Sequence, residues 1–261
     1  MPHTTSLHRL TLLASLCLWV TAAHAQPATA TIAAASDLKF ALEDIAAQFE
    51  KTTGQRLRLV FGSSGNFFTQ IQQGAPFHLY LSADEAYVFK LADAGLTADR
   101  GRLYALGRIG LFVPKGSPLK ADGGLQDLAR ALKAGEVRKF AIANPEHAPY
   151  GARAREALQH AGLWDALMPH LVLGENISQA AQFAASGATQ GGIIAQSLAL
   201  APHIAAQGSF APIPATWHQP LAQRMVLMKN APPAARAFYD HLATPAAQAT
   251  LARHGFGLPK P

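Results

Sequence analysis

The amino-acid sequence predicts an α/β protein of two similar lobes, each with a mixed, mostly parallel sheet flanked by helices. Short apolar segments of strand length alternate with longer segments in which apolar residues recur at helical spacing. This pattern is typical of sheets whose parallel strands are joined through helices. The alternation stops at the apolar run 109–114, which is closed by Pro-Lys-Gly-Ser-Pro, and then repeats in outline. The repeat indicates two lobes.

The first lobe is predicted to begin with a strand at Thr31–Ala35 and an amphipathic helix. Apolar residues recur over 38–49 at the spacing of one helical face. Gly54 follows this helix, at a position where a left-handed residue commonly ends one. Two strands, two helices and a turn come next: strands Arg56–Phe61 and His78–Ser82, helices Asn66–Gln73 and Asp84–Ala94, and the turn Gly62–Gly65.

The second lobe repeats the alternation with three further helices and three further strands. A proline-punctuated stretch, Pro212–Pro220, then predicts a second crossing. The predicted division is a leader at 1–25, the first lobe at 26–108, the second lobe at 109–214 and a return to the first lobe at 215–261. The remaining elements are helices Leu125–Ala134, Gly151–His160 and Ile177–Ala185, strands Phe140–Ala143, Leu171–Leu173, Gly192–Ala195 and Met225–Met228, and helices Pro232–Leu242 and Pro245–His254.

The leader predicts export with cleavage, so that the mature protein is periplasmic. Arg9 precedes the apolar run Leu10–Ala23, and Ala23-His24-Ala25 fits the small-x-small cleavage rule. The run is shorter than the about 20 residues that span a bilayer. Cys17 follows a leucine, where a lipoprotein signal needs a small residue, so a lipid anchor is not expected.

Composition argues against several classes of function. Cys17 is the one cysteine, so the mature chain would have no disulfide, no thiol nucleophile and no cysteine ligand for zinc. The 11 histidines include no pair at i, i+3 or i, i+4 spacing, which argues against a helical metal site. The formal net charge of +6 is spread along the chain, so nucleic acid is not an expected partner, although a positive balance helps to attract anions.

Several predicted strand-to-helix turns carry small or hydroxyl residues where a helix begins. Such turns lie at the carboxyl ends of parallel strands, where α/β sheets place their ligands. The first turn of a helix has unpaired N–H donors and the positive end of the dipole, so it can bind an anion without a cation. Each serine is equally compatible with an ordinary N-cap. The turns contain Ser36, Ser63 with Ser64, Pro149-Tyr150-Gly151, and Asn176-Ile177.

Motifs spread along the chain carry a family resemblance. They are AAAS at 33–36, FGSS at 61–64, GAPF at 74–77 with LSAD at 81–84, NPEHAPYG at 144–151 and AFYD at 237–240. In these segments the chain resembles the periplasmic molybdate-binding proteins of ABC transporters, which are type II periplasmic solute-binding proteins. The segments NPEHAPYG and GAPFHLYLSADE are the specific ones.

The resemblance implies a hinged binding protein with its ligand cleft between the lobes, no cofactor and no catalysis. The ligand would be molybdate, or alternatively tungstate, held as an oxyanion rather than at a direct cation site. Ser36 and Ser64 would each give a hydroxyl and a peptide N–H, and Ser63, in the same turn as Ser64, is a further candidate for ligand binding. Tyr150 and Ile177 would each give a peptide N–H from the second lobe. The implied partner is a membrane ABC permease. A monomer is expected, because one cleft in one chain completes the site.

Two positions depart from the family pattern. Many relatives have a tyrosine hydroxyl donor where this chain has Ala195, and the Tyr150 hydroxyl is a candidate replacement. Alternatively, the Tyr150 ring packs over the mouth of the cleft and gives its peptide N–H alone. Asp37 puts a carboxyl beside a proposed anion site, where an ionised group would repel the ligand. The carboxyl can cap its own helix, act as a protonated donor, or accept a bond from a protonated ligand. The last option would favour phosphate-like anions over molybdate.

A sensory or regulatory solute receptor with the same cleft is one alternative, and it would differ only in its partner. Two further functions also remain. One is a binding protein for another tetrahedral oxyanion, such as phosphate or sulfate. The other is a periplasmic serine hydrolase using Ser64 with His147, although the Gly-Ser-Ser-Gly turn does not match the G-x-S-x-G elbow. His147 is otherwise expected to orient the loop that presents Tyr150.

Overall fold

The computed structural model describes residues 29–259, so the predicted leader and its cleavage site lie outside the described residues. No helix within that range has the length and apolar character needed to cross a membrane. In chain order the strands are β1 (Ala30–Ala35), β2 (Leu57–Gly62), β3 (Leu79–Ser82), β4 (Arg102–Gly107), β5 (Ile109–Pro114), β6 (Phe140–Ala143), β7 (Leu171–Gly174), β8 (Gly191–Ala195), β9 (Gly208–Pro212) and β10 (Leu221–Leu227).

The helices pack against these strands. They are α1 (Lys39–Thr53), α2 (Ser64–Gln72), α3 (Glu85–Asp93), α4 (Gln126–Lys133), α5 (Pro149–His160), α6 (Trp164–Leu167), α7 (Ile177–Ala185), α8 (Gln196–Ala199), α9 (Pro202–Ala205), α10 (Pro233–His241) and α11 (Pro245–Arg253). Short 3-10 turns lie at Ser36–Leu38, Met168–His170 and Ala215–Trp217.

Between residues 29 and 259 the strands form two five-stranded sheets with the same internal order, β2-β1-β3-β10-β4 and β7-β6-β8-β5-β9. In the first sheet β1, β2 and β3 are parallel, and β10 is antiparallel to both β3 and β4. The second sheet repeats this, with β6, β7 and β8 parallel and β5 antiparallel to β8 and β9. In each sheet one strand therefore opposes the other four, which confirms the predicted mixed, mostly parallel architecture.

Each sheet is covered on its faces by apolar side chains. In β1, Ile32 packs in the same cluster as Phe49 of α1 and Phe238 of α10, whereas Ala33 packs in another cluster with Phe67 of α2. Neighbouring residues of a strand point to opposite faces, so β1 is buried on both. This explains why it lacks the polar alternation of a surface strand.

Several predicted boundaries were wrong at the helix starts. α2 begins at Ser64 rather than Asn66, because the Ser63 hydroxyl caps it by accepting the Asn66 N–H at 3.3 Å. α5 begins at Pro149 rather than Gly151, since proline fits the first helical position. Strands β4 and β9 were not predicted at all. Both are edge strands, where the apolar pattern is weak.

Candidate functional site

Four strand-to-helix turns lie together where the two lobes meet. Two follow the adjacent parallel strands β1 and β2, and two follow the adjacent parallel strands β6 and β7. The Ser36 hydroxyl is 3.1 Å from Asn176 Oδ1, which joins the β1 turn to the β7 turn. The Gly65 N–H donates to the His147 carbonyl at 2.9 Å, which joins the β2 turn to the β6 turn. The carboxyl ends of both sheets therefore face one another, as expected for a ligand site in α/β folds.

Ser36 inserts its hydroxyl into the first turn of α7 in the opposite lobe. The hydroxyl donates to Asn176, the N-cap of α7, and accepts the Ser178 N–H at 3.2 Å. Ser178 returns a hydrogen bond from its hydroxyl to the Ser36 carbonyl at 2.8 Å. The alternative that Ser36 caps its own helix is wrong, because no side chain caps that helical turn.

Ser63 and Ser64 are adjacent in the chain, but their hydroxyl groups have different hydrogen-bond partners. Ser63 is the N-cap of α2, and its hydroxyl also lies 2.9 Å from Nδ1 of His147. Ser64 is fully buried, and its hydroxyl oxygen accepts the Ala83 N–H at 2.9 Å. The N-cap interpretation is therefore wrong for Ser64. Its hydroxyl hydrogen is not used by that bond and can be donated to a ligand.

The second lobe contributes Tyr150 and Ile177 from the first turns of α5 and α7. Both residues are buried, with exposed fractions of 2% and 3%. As first-turn residues they have peptide N–H groups without an acceptor inside their own helix. These N–H groups add to the positive ends of two helix dipoles.

Asp37 is at the centre of a buried hydrogen-bond network between the lobes. Its Oδ2 accepts from the Tyr150 hydroxyl at 2.8 Å and from Gln223 Nε2 at 2.6 Å. Gln223 Nε2 also lies 3.0 Å from the Tyr150 oxygen, and Gln223 Oε1 accepts from the Tyr104 hydroxyl at 2.7 Å. Asp37 Oδ1 is buried without a hydrogen-bond partner among the described residues.

Burial governs the protonation of this network. It raises the pKa of Asp37 from 3.8 to about 6, because hydrogen bonds from Gln223 and Tyr150, together with the nearby peptide N–H groups of Asp37 and Leu38, only partly offset the loss of water around the carboxylate. Burial, and next the charge of Asp37, hold the pKa of Tyr150 well above its ordinary value. The Tyr150 hydroxyl is therefore a permanent donor near neutral pH.

These contacts decide two alternatives that the sequence left open. The interpretation of Asp37 as a cap of its own helix is wrong, because its carboxyl bonds to Tyr150 and Gln223 instead. The Tyr150 hydroxyl does not replace the donor missing at Ala195 in this structure, since its single hydrogen is donated to Asp37. Ala195 itself is fully buried at the end of β8.

His147 holds the lobes together through both its side chain and its backbone. Its ring contacts Ser63 and its carbonyl accepts from Gly65, where an added Cβ would lie 2.5 Å from that oxygen. The Ser64–His147 pair of the hydrolase alternative is not formed, because the imidazole contacts Ser63. The Ser63 oxygen is in turn occupied by capping α2. These contacts suit the loop-orienting role predicted for His147.

Two residues of the site, Gln223 and Ser197, were not predicted from the sequence. Gln223 lies on β10 in register with buried Leu221 and Met225 and is itself fully buried. A polar residue on an apolar strand face needs buried hydrogen-bond partners. The position of Gln223 in the apolar pattern of β10 could therefore have indicated a buried polar contact. Ser197 had no such signal, yet its hydroxyl donates to the Asp37 carbonyl at 2.9 Å.

An ion pair between Arg153 and Asp84, here called the rim ion pair, lies at the edge of the interface between the lobes. Arg153 of α5 lies 3.0 Å from the carboxylate of Asp84, which caps α3 in the first lobe. Arg153 also pairs with Glu156, whose other oxygen accepts the Gln219 N–H at 2.7 Å. In the part of the chain described, no group of three or more His, Cys, Asp or Glu side chains is arranged to hold a metal ion.

The two lobes have the same topology and are joined by two crossings. Helix N-termini and hydroxyl groups lie between them, and this arrangement defines a binding protein for a small solute. The chain belongs to the bacterial extracellular solute-binding protein family, whose model matches residues 30–257.

Similar proteins agree with this assignment. The molybdate-binding protein ModA of Azotobacter vinelandii is 36% identical over 90% of this chain and 92% of its own length. That of Rhodobacter capsulatus is 36% identical over 82% of each chain. The solved structure of the periplasmic molybdate-binding protein of A. vinelandii has a TM-score of 0.79 at 31% identity, covering 88% of this chain and 100% of that one.

Proposed function

We propose that this protein captures molybdate in the periplasm and delivers it to a membrane ABC permease. The observation that carries the proposal is the meeting of four helix starts between the lobes, two of them with serine hydroxyls, in a chain 36% identical to proteins named for molybdate binding. Tungstate has the same charge and shape and is the alternative ligand. Sulfate and phosphate are smaller, so a cage sized for molybdate would lengthen their hydrogen bonds and weaken them.

The proposed ligand donors are neutral. Ser36 and Ser64 would donate hydroxyl and peptide hydrogens from the first lobe, and Tyr150 and Ile177 peptide hydrogens from the second. Hydrogen bonds to charged groups contribute about 1.5–3 kcal/mol each, so several together offset the loss of hydration of the anion. The Ser36 hydroxyl would exchange Asn176 for an anion oxygen when the ligand enters.

The proposed lobes are residues 26–108 with 215–261, and residues 109–214. A ligand that bonds to both lobes stabilises the closed form, because only that form presents both donor sets. Ser63 is assigned a supporting task, holding α2 and His147 rather than the anion. The function so proposed is binding by a monomer, without catalysis and without a cofactor.

The test is calorimetry and thermal unfolding of the mature chain with a panel of oxyanions. Molybdate and tungstate should raise the melting temperature and bind with measurable heat, because a ligand of the folded state stabilises it. Ser36→Ala should weaken binding at least tenfold, whereas Ser209→Ala, at an exposed position on β9, should not. No response to any group-6 oxyanion, or turnover of an activated ester abolished by Ser64→Ala, would refute the proposal.

A further inference from the structure

The carboxyl group of Asp37 has one saturated oxygen and one unpaired oxygen. Oδ2 accepts two hydrogen bonds, from Tyr150 and Gln223, whereas Oδ1 has no partner although the residue is only 1% exposed. A buried polar atom without a partner costs free energy. Such an atom in a native protein requires a specific explanation, such as a water, an ion or a ligand that supplies the missing hydrogen bond.

The network prevents Asp37 from relieving this cost by turning. The Gln223 amide is fixed because its Oε1 accepts from Tyr104, so its Nε2 must point at Asp37 and Tyr150. Glycine at position 107 is part of this arrangement, since any side chain there would collide with the Tyr150 oxygen. Oδ2 is therefore held by the network, and Oδ1 is the oxygen left for another contact, one residue from Ser36.

The groups facing the carboxyl supply no positive charge. The titratable ones are Tyr150 from α5 and Tyr104 from β4, and burial raises the pKa of both. The other polar groups nearby are neutral. Gln223 of β10 bonds to the carboxyl, and Ser197 of α8 bonds to the main-chain carbonyl of Asp37. Asn176 and Ser178, at the start of α7, bond to the adjacent Ser36. Lys39, two residues along, is partly exposed and pairs with Glu43. A divalent anion entering here therefore meets a carboxyl that nothing cationic neutralises.

We propose that binding of a fully deprotonated oxyanion takes up one proton from solvent, which is then held between Asp37 Oδ1 and an oxygen of the anion. The proton turns the repulsion between two negative groups into a hydrogen bond and gives Oδ1 its partner. The inference rests on the proposed function and adds Asp37 to the ligand contacts. A protonated Asp37 that donates to the anion and an ionised Asp37 that accepts from a protonated anion then describe the same arrangement. In both, one proton lies between Asp37 Oδ1 and an oxygen of the anion.

The protonation equilibrium of the site supports this step. Burial already raises the Asp37 pKa to about 6. A divalent anion at hydrogen-bond distance raises it further, since a like charge disfavours the ionised form. Between pH 6 and the higher pKa of the complex, only the complex carries the proton. Affinity for the dianion should then fall by up to about tenfold for each pH unit in that range.

The experiment is calorimetric titration of the mature protein with molybdate at pH 7.5, in buffers of different ionisation enthalpy. The wild type should take up close to one proton per anion, and its affinity should fall between pH 7 and pH 9. Asp37→Asn should take up none and should bind with pH-independent affinity, because its amide can donate where the proton would lie. Asp165→Asn, which removes the charge of an exposed carboxylate, should show the same proton uptake and the same pH dependence of affinity as the wild type.

The outcomes separate the two proposals. Molybdate binding by the wild type without proton uptake overturns the role of Asp37 and leaves the binding function intact. Equal proton uptake by Asp37→Asn and the wild type overturns it as well. Absence of any binding by the wild type overturns both. The wild-type measurement is decisive even if the variant does not fold.

Discussion

The hydroxyl of Tyr150 donates a 2.8 Å hydrogen bond to Asp37 Oδ2, and the bond joins two lobes through residues 113 positions apart. Asp37 follows β1 of one sheet, and Tyr150 begins the helix after β6 of the other. Neither residue belongs to a crossing between the lobes, so the bond exists only while the lobes are together. It therefore contributes to the free energy of closure.

Removing this hydroxyl should weaken ligand capture more than it weakens the fold. Tyr150→Phe leaves Asp37 Oδ2 with a single donor and removes an interlobe bond, so molybdate affinity should fall about tenfold, equivalent to about 1.4 kcal/mol. Calorimetric titration measures the change. Tyr239→Phe on α10 is the control, and its affinity should match that of the wild type. Equal affinities for Tyr150→Phe and the control would contradict a part for this bond in closure.

Two helix caps allow stability to be separated from binding. Asn176 caps α7 at the site, and Thr244 caps α11 away from it. Replacing either with alanine should destabilise the protein by about 1 kcal/mol, because a first-turn N–H loses its acceptor. Only Asn176→Ala should also weaken molybdate binding, by about fivefold or about 1 kcal/mol, because the loss of the cap loosens the first turn of α7, which presents the Ile177 N–H, and this outweighs the release of the Ser36 hydroxyl. Denaturant unfolding and titration of both variants test this, and a matching loss of affinity in Thr244→Ala would argue against a local effect.

The rim ion pair should control how fast the ligand leaves. Arg153 pairs with Asp84 of the first lobe, whereas Arg155, on the same helix, pairs with Glu146 of its own lobe. Arg153→Met should accelerate release of molybdate about fivefold, since a partly exposed pair contributes up to about 1 kcal/mol. Arg155→Met should leave the rate unchanged. Stopped-flow release at low and high salt distinguishes them, with salt reducing the difference; identical rates would count against the rim contact.

The stability of the ligand-free protein should depend on the ionisation of Asp37. Its pKa is raised to about 6 in the folded chain from 3.8, so between these values the folded state holds a proton that the unfolded state has lost. Stability from this residue is therefore greatest below pH 4, declines as the pH rises to 6 and then stays low. The decline is on the order of 2–3 kcal/mol.

Asp37→Asn isolates this contribution from that of the other carboxyl groups. At pH 7.5 the variant should be more stable than the wild type by on the order of 2 kcal/mol, and at pH 4 the two should be nearly equal. Urea unfolding at both pH values measures the difference, with Asp165→Asn as control. If the wild type were more stable than Asp37→Asn at pH 7.5, its hydrogen bonds would fully offset the cost of burying the Asp37 carboxylate, and the prediction would be wrong.

The sequence by itself determined the two similar α/β lobes and the four strand-to-helix turns of the site, although two of the helix starts were placed two residues too late. Those signals are local. The helix from Lys39 ends before Gly54 because the residue after it is left-handed, with φ of 70°, and glycine takes that conformation without steric cost. Strand length, apolar spacing and turn residues depend on neighbours within a few positions, so these features can be predicted from the sequence alone.

Only the tertiary structure decided which of these residues touch. Ser36 meets Asn176, Asp37 meets Tyr150 and Gln223, and Ser63 rather than Ser64 meets His147, at separations of 84 to 186 positions. The local pattern does not encode how two sheets are placed against each other, and a one-residue shift in a cap changes which hydroxyl faces a ligand. The partners of Asp37 follow from that placement, because a buried carboxyl takes whatever donors the opposite lobe brings within reach.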